Sequence, residues 1–291
     1  MLLRWLVNNY LRDAAEQAVR QTISDVTAPR TEQTVAATTQ SEGEAEATDE
    51  DLSCEIAVIF ALGIEAGPLV DELKDVASTR RPNLIEHAGS LAGRLAVIAE
   101  GGVGQKSAAA ATREIIRAYE PKWVISAGFA GSLSSEVQRG HLLMANSVVN
   151  AAGEHLEIEL RLQPQPRLHA GRLVTVDGII RTATEKHALG EKHNALACDM
   201  ETFAVAQECA RANTRFLSVR IISDGVDDEL PKEVEQLLKE KNLAKQAGRA
   251  IHALMKRPAA ALDLWKLRDE GHKAADRLAR FLLQVIPQLP A

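Results

Sequence analysis

From Leu52 onward, short apolar runs of β type alternate with segments of helical periodicity, and this alternation constrains the fold more than any other feature of the chain. A strand that is apolar along its whole length has to be covered on both faces, and interleaved helices supply that cover. The strand candidates are Glu55–Ala61, Arg94–Ala99, Trp123–Ala127, His141–Val149, Arg172–Val176, Ala195–Cys198 and Phe216–Ser223. Between them Glu65–Val76, Ser107–Tyr119, Arg181–Gly190, Glu201–Ala212 and Pro231–Met255 read as helices. The pattern predicts an α/β protein, a three-layer α/β/α sandwich around a central mixed sheet.

The two ends read differently. Residues 1–26 place Leu2, Leu3, Leu6, Tyr10, Leu11, Ala14, Ala18 and Val19 at helical spacing, an amphipathic helix. Asn8, Asn9 and Arg12 interrupt its apolar run, so neither a secretory signal nor a membrane-spanning helix is expected. Such a helix can dock on the body, bind a partner or lie peripherally on a membrane, where Trp5 and two arginines suit a headgroup interface. Residues 27–51 are an acidic flexible linker, with six acids and no base between Ser41 and Asp51. Residues 52–256 form the expected catalytic domain. Residues 257–291 are a second amphipathic helical extension, with Leu278, Phe281, Leu282 and Val285 on one face, suited to packing on the body or a partner, with a lipid-facing role as the alternative.

Charge narrows the partners. Residues 1–51 hold four of the 34 basic and ten of the 40 acidic residues, which leaves 30 of each in the body. A neutral body with only 3% aromatic residues is not a dedicated nucleic-acid binder. Three cysteines, Cys54, Cys198 and Cys209, are too few for a disulfide framework, and a cytoplasmic setting is expected. The eight histidines show no metal-ligand spacing, with His187 and His193 assigned to a solvated helix and its exit loop.

Two glycine-rich stretches follow strands. In Gly101-Gly102-Val103-Gly104-Gln105-Lys106-Ser107, Glu100 and Gln105 stand where a P-loop requires glycine, and the Rossmann spacing fails as well. What survives is a tight turn at which Gly102 permits close backbone approach to a small ligand, or a purely structural turn. The second stretch, Ser126-Ala127-Gly128-Phe129-Ala130-Gly131, is expected to turn at the carboxyl end of its strand, where α/β sheets bind ligands. A third segment, Asp199-Met200-Glu201, ends a strand and opens a helix, and the next strand ends at Ser223-Asp224. If those strands run parallel, Glu201 and Asp224 reach one edge, joined by Glu65 just past the first strand.

These motifs together resemble the nucleoside phosphorylase superfamily, particularly its methylthioadenosine/S-adenosylhomocysteine nucleosidase branch. The resemblance rests on Ile59 to Glu65, Gly101 to Gly104, Val124 to Gly131, Asp199-Met200-Glu201 and Arg220 to Asp224, and extends over residues 54–256. It implies a nucleoside phosphorylase-like fold, a homodimer, a small-molecule purine nucleoside as substrate, and no cofactor or metal. It also implies that Asp224 protonates the departing purine at N7 with Ser223 orienting it. Glu201 would accept hydrogen bonds from the ribose hydroxyls, Met200 would pack on the sugar, and Glu65 would polarise the attacking water with Arg220 holding the network. Ala127, Gly128, Phe129, Gly102 and Ile179 would line the substrate.

Neither Ala61–Glu65 nor Trp123–Gly131 contains an arginine for a phosphate dianion, so hydrolysis is favoured over phosphorolysis. Lys106 and Arg220 keep phosphorolysis open. Two departures stand out. Phe129 replaces the branch's usual small serine, and Asp177-Gly178-Ile179-Ile180 lacks an aromatic to stack on adenine. Ser223-Asp224-Gly225 and the helix bearing Lys186 are also similar to the hopanoid-associated branch acting on adenosylhopane, a lipid substrate. The rival of another class is a nucleoside-binding scaffold without turnover.

Overall fold

The computed structural model describes residues 53–160, 162, 165–230 and 258–290, the side chains of 258–269 excepted. The N-terminal helix, the acidic linker and the helix read at Pro231–Met255 lie outside the described residues. Two compact units are present. Leu52–Gln236 with Asp269–Ala291 carries the sheet; in Met1–Asp51 with Leu237–Arg268 only the opening of the last helix is described.

The strands are β1 (Ile56–Phe60), β2 (Lys74–Arg81), β3 (Leu84–Leu91), β4 (Arg94–Glu100), β5 (Trp123–Ser132), β6 (Leu142–Asn150), β7 (His155–Glu157), β8 (Leu168–Thr175), β9 (Ala197–Asp199) and β10 (Arg215–Asp224). The helices are α1 (Gly63–Val70), α2 (Gln105–Tyr119), α3 (Ala183–His193), α4 (Thr202–Arg211) and α5 (Pro258–Val285), with a 3₁₀ turn at Ile286–Gln288. The mixed sheet runs β10-β6-β8-β9-β5-β1-β4-β3-β2 with β7 on β6, and β10 also pairs with β5. That extra pairing closes β5, β9, β8, β6 and β10 into a ring.

The apolar run Ile56–Phe60 is buried along its whole length, as expected of a strand covered on both faces. β1 lies parallel between β4 and β5, and β5 lies parallel to β10. Their carboxyl ends therefore share one edge, and α1, α2 and the segment after β10 leave from it.

The structure corrects three readings. The helix read at Glu65–Val76 stops at Val70, and Lys74–Arg81 is a strand paired with β3. Its residues are exposed throughout, so no apolar stripe advertises it, and pairing with the neighbouring strand overrides local preference. The glycine-rich segment Ser126–Leu133 is not a turn: β5 continues through it to Ser132. β9 is antiparallel to β5, not aligned with it, and so runs back along the ring past Ser132 and Gly131.

From Asp269 onward α5 is part of the body. Leu278, Leu282 and Ile286 have no exposed surface and join a cluster with Ile56, Val58, Ile98 and Val219. Each such side chain contributes roughly 1.5–3 kcal/mol through burial. Arg94 at the start of β4 donates to the carbonyls of Ile286 (3.1 Å) and Leu289 (2.8 Å), and Trp123 at the start of β5 donates to that of Pro290 (2.9 Å). This amphipathic face is turned into the core, which removes it as a lipid-facing surface. Among the described residues no helix is long and apolar enough to cross a membrane.

Candidate active site

Glu65 stands in the first turn of α1 and is 5% exposed. Its Oε2 accepts from the N–H of Leu62 (3.0 Å), the residue before the helix, and its Oε1 accepts from the N–H of Phe129 (2.8 Å) in β5. The reason for Gly128 follows from the same geometry. A Cβ there would lie 2.8 Å from Glu65 Oε1 and 2.8 Å from Arg220 Nη1, so only glycine lets carboxylate and guanidinium close on the strand. Burial raises the proton affinity of Glu65 above the ordinary carboxylate range, against the pull of the Phe129 N–H and of Arg220.

Arg220, from the middle of β10, is buried and committed. Its Nη2 donates to Asp199 Oδ2 (2.7 Å), Thr202 Oγ1 (2.7 Å) and Ser126 Oγ (2.8 Å). Asp199 also accepts from Thr175 Oγ1 (2.7 Å) and from the N–H of Thr202 (2.9 Å), so it caps the start of α4 while it neutralises the arginine.

Glu201 lies next to this pair. Its Oε1 accepts the N–H of Gly104 (2.7 Å), the residue that precedes α2. Gly104 has φ +92°, a left-handed backbone that explains the glycine. Burial, then the Asp199 carboxylate, push the Glu201 carboxyl up to about 8, against Arg220 and the Gly104 N–H, with Glu65 adding to the upward push. Three carboxyl groups thus face one guanidinium, an acidic surround suited to a ligand that becomes cationic.

Asp224 closes β10 one short stretch further along β5. The strands β5 and β10 align Asp224 with Gly131, and a Cβ on Gly131 would lie 3.1 Å from Asp224 Oδ2. Gly128 and Gly131 are three residues apart in one strand, about 10 Å, a distance on the scale of a sugar with its base. Ser223 Oγ donates to Asp224 Oδ1 (2.7 Å). On the other oxygen, Lys186 Nζ donates to Oδ2 at 2.5 Å. Cys198 on β9 lies by the same glycine. Burial first, then Asp224 and Asp199, push its thiol up to about 12, which keeps it neutral.

Of the other predicted residues, Ala127 and Gly128 are buried in β5, whereas Met200, Phe129, Gly102, Ser223 and Ile179 are half-buried. Ile180 packs into the cluster of Leu133, Val149 and Val174, which leaves Ile179 outside it. Lys106 is exposed. His187 is exposed, as read, but His193 is buried at the end of α3, where Leu133 and Ala195 border the helix. The sequence reading gave no role to Asp199, Thr202, Ser126, Thr175 or Lys186. One signal was available for Lys186: it shares a helix face with Gly190 and His193, and that face is the buried one.

A model of the phosphorylase superfamily matches residues 55–163 and 155–257. A relative from Shewanella sediminis, a 5'-methylthioadenosine/S-adenosylhomocysteine nucleosidase, is 26% identical over 211 residues, 63% of this chain and 91% of its own length. A solved S. pneumoniae nucleosidase of the same name, bound to a transition-state inhibitor, superposes with a TM-score of 0.60 at 18% identity, covering 79% of this chain and 96% of that one. Helicobacter pylori futalosine hydrolase superposes with a TM-score of 0.60 at 18% identity, covering 81% and 98%.

Proposed function

The chain belongs to the phosphorylase superfamily, and on that premise we propose that it hydrolyses the N-glycosidic bond of an adenosine-type nucleoside, of the methylthioadenosine/S-adenosylhomocysteine class, to free base and ribosyl product. The observation that carries this reading is the grouping of Glu65 and Arg220 at Gly128, with Glu201 close enough to feel the charge of both and Asp224 next along β5 at Gly131.

Bond cleavage leaves positive charge on the ribosyl ring and negative charge on the base. Carboxylates fixed in advance favour the first, and a proton at N7 removes the second. Glu201 accepts the ribose hydroxyls, and Met200 packs on the sugar face. Glu65 polarises the attacking water and takes its proton. Asp224 donates to N7, oriented by Ser223. Ala127, Gly128, Phe129, Gly102 and Ile179 form the walls, with aliphatic contacts to the base in place of an aromatic stack.

Water is favoured over phosphate on specific grounds. The Gly104 amide, which opens α2 and would suit an anion, already binds the Glu201 carboxylate. Arg220 is taken up by Asp199, Thr202 and Ser126, and Lys106 points to solvent. A non-catalytic scaffold would have no use for carboxylates held at this density. The family resemblance further leads us to expect a homodimer acting in the cytoplasm, with peripheral membrane contact left to residues 1–26.

The test is release of free base from methylthioadenosine, adenosylhomocysteine, adenosine, inosine and futalosine, with and without phosphate. Base release from an adenosine-type substrate at a rate indifferent to phosphate is expected. Release that requires phosphate would make the protein a phosphorylase, and release from none of the five would contradict the reading.

A further inference from the structure

Lys186 is a charged side chain with no exposed surface, placed by α3 directly behind Asp224. Its ammonium has three N–H donors and three acceptors: Asp224 Oδ2 (2.5 Å) and the carbonyls of Gly225 (2.7 Å) and Asp228 (2.9 Å). The two carbonyls belong to the segment that follows β10, and that segment is itself pinned. Asp228 Oδ2 accepts from the N–H of Gly225 (2.6 Å) and from Arg139 Nη2 (2.6 Å), and Arg139 also pairs with Glu270 of α5. The other titratable group beside the pair, Cys198, is held neutral. A buried lysine with one carboxylate partner stabilises a fold poorly, since desolvation offsets most of the attraction. Its position fits a role in the acid's chemistry better than a role in stability.

We propose that Lys186 is the positioning residue of the leaving-group acid and that its ammonium stabilises the carboxylate left when Asp224 gives up its proton. As the C1'–N9 bond breaks, its electron pair passes into the base and N7 takes the proton from Asp224. The Asp224 carboxylate so formed is held by the Lys186 ammonium, which keeps its proton and its three acceptors. The attacking water bonds to C1' and gives its own proton to Glu65. When products leave, Glu65 releases that proton to solvent and Asp224 regains one, so the cycle closes with no other reactant. This inference rests on the nucleosidase reading above and adds to it the group that stabilises the spent acid.

A substrate that needs no proton separates this role from a structural one. Methylation of N7 gives the leaving group its positive charge in advance, so an N7-methylated adenosine-type nucleoside departs without acid assistance. Lys186→Met keeps the length of the side chain and removes the charge. It is expected to lower kcat on methylthioadenosine by about 10²–10⁴-fold, the usual worth of general acid catalysis, while turnover of the N7-methylated analogue stays within about threefold of wild type. Equal loss on both substrates would overturn the proposal and leave Lys186 a structural residue. Should Lys186→Met leave Asp224 uncompensated and fail to fold, Lys186→Met with Asp224→Asn carries no buried charge at the pair. If Lys186 acts through Asp224, that double variant matches Asp224→Asn alone; a further loss on methylthioadenosine overturns the proposal. A wild-type protein inert toward both nucleosides would instead sink the nucleosidase reading, and this inference with it.

Discussion

The carboxyl edge of the parallel strands and the face that α5 covers are built on opposite principles. At the carboxyl edge Glu65, Asp199, Glu201, Arg220, Asp224 and Lys186 lie close together around two strand glycines. On one face of the same strands the second half of α5 packs Leu278, Leu282 and Ile286 into an apolar cluster, and Arg94 at the start of β4 ties down the last carbonyls. The same sheet therefore bears closely set ionisable groups at its carboxyl edge and apolar packing on its α5 face. Charge crowding at the first is tolerable because the second and the shared strands supply stability.

Substitutions that remove charge from the carboxyl edge and volume from the α5 face sharpen this contrast. Arg220→Met has the largest expected effect, because it leaves Asp199 buried without its partner: about 3–5 kcal/mol of stability and most activity should be lost together. Calorimetry with a rate measurement checks it. Leu282→Ala should cost about 2–5 kcal/mol by opening a cavity, yet leave the rate per folded molecule unchanged at low temperature. A change in kcat there would mean that the two regions are not separable. Gly128→Ala should show the reverse pattern, with a Cβ pushing Glu65 and Arg220 apart; a strain of about 1–3 kcal/mol and at least a tenfold drop in kcat are expected.

The smallest effect is a pH dependence. In the unliganded protein the Glu201 carboxyl is pushed up to about 8 from an ordinary value of 4.5. A carboxyl with raised proton affinity in the folded state contributes stability that is complete below 4.5 and is lost as pH rises through about 8. The melting temperature of the free protein should fall across that window. Glu201→Gln, which cannot ionise, should flatten the fall, and an unchanged profile would contradict the electrostatic account of this edge.

The carboxyl-edge site was the more legible region in the sequence because its chemistry is carried by rare residue types at strand ends. Glu65, Glu201 and Asp224 each follow an apolar run, and Arg220 interrupts one. What the sequence hid was long-range. Closure of β5 with β10 into a ring leaves no local trace, and neither does the antiparallel course of β9. The glycines at 128 and 131 suggested a turn because glycine most often marks one. Here they are strand positions cleared for side chains arriving from α1 and β10. β2 was missed because an exposed edge strand lacks the apolar alternation that marks others. Lys186 escaped a role because its partners lie 38 to 42 positions away.

The central claim is that three carboxylates from α1, the start of α4 and the end of β10 serve one substrate. It is tested most directly by measuring base release from methylthioadenosine by Glu65→Gln, Glu201→Gln and Asp224→Asn beside wild type, with a melting curve for each. The account predicts that every one of the three loses at least about 10²-fold in kcat/KM while remaining folded. Wild-type turnover by any folded member of the set would contradict it.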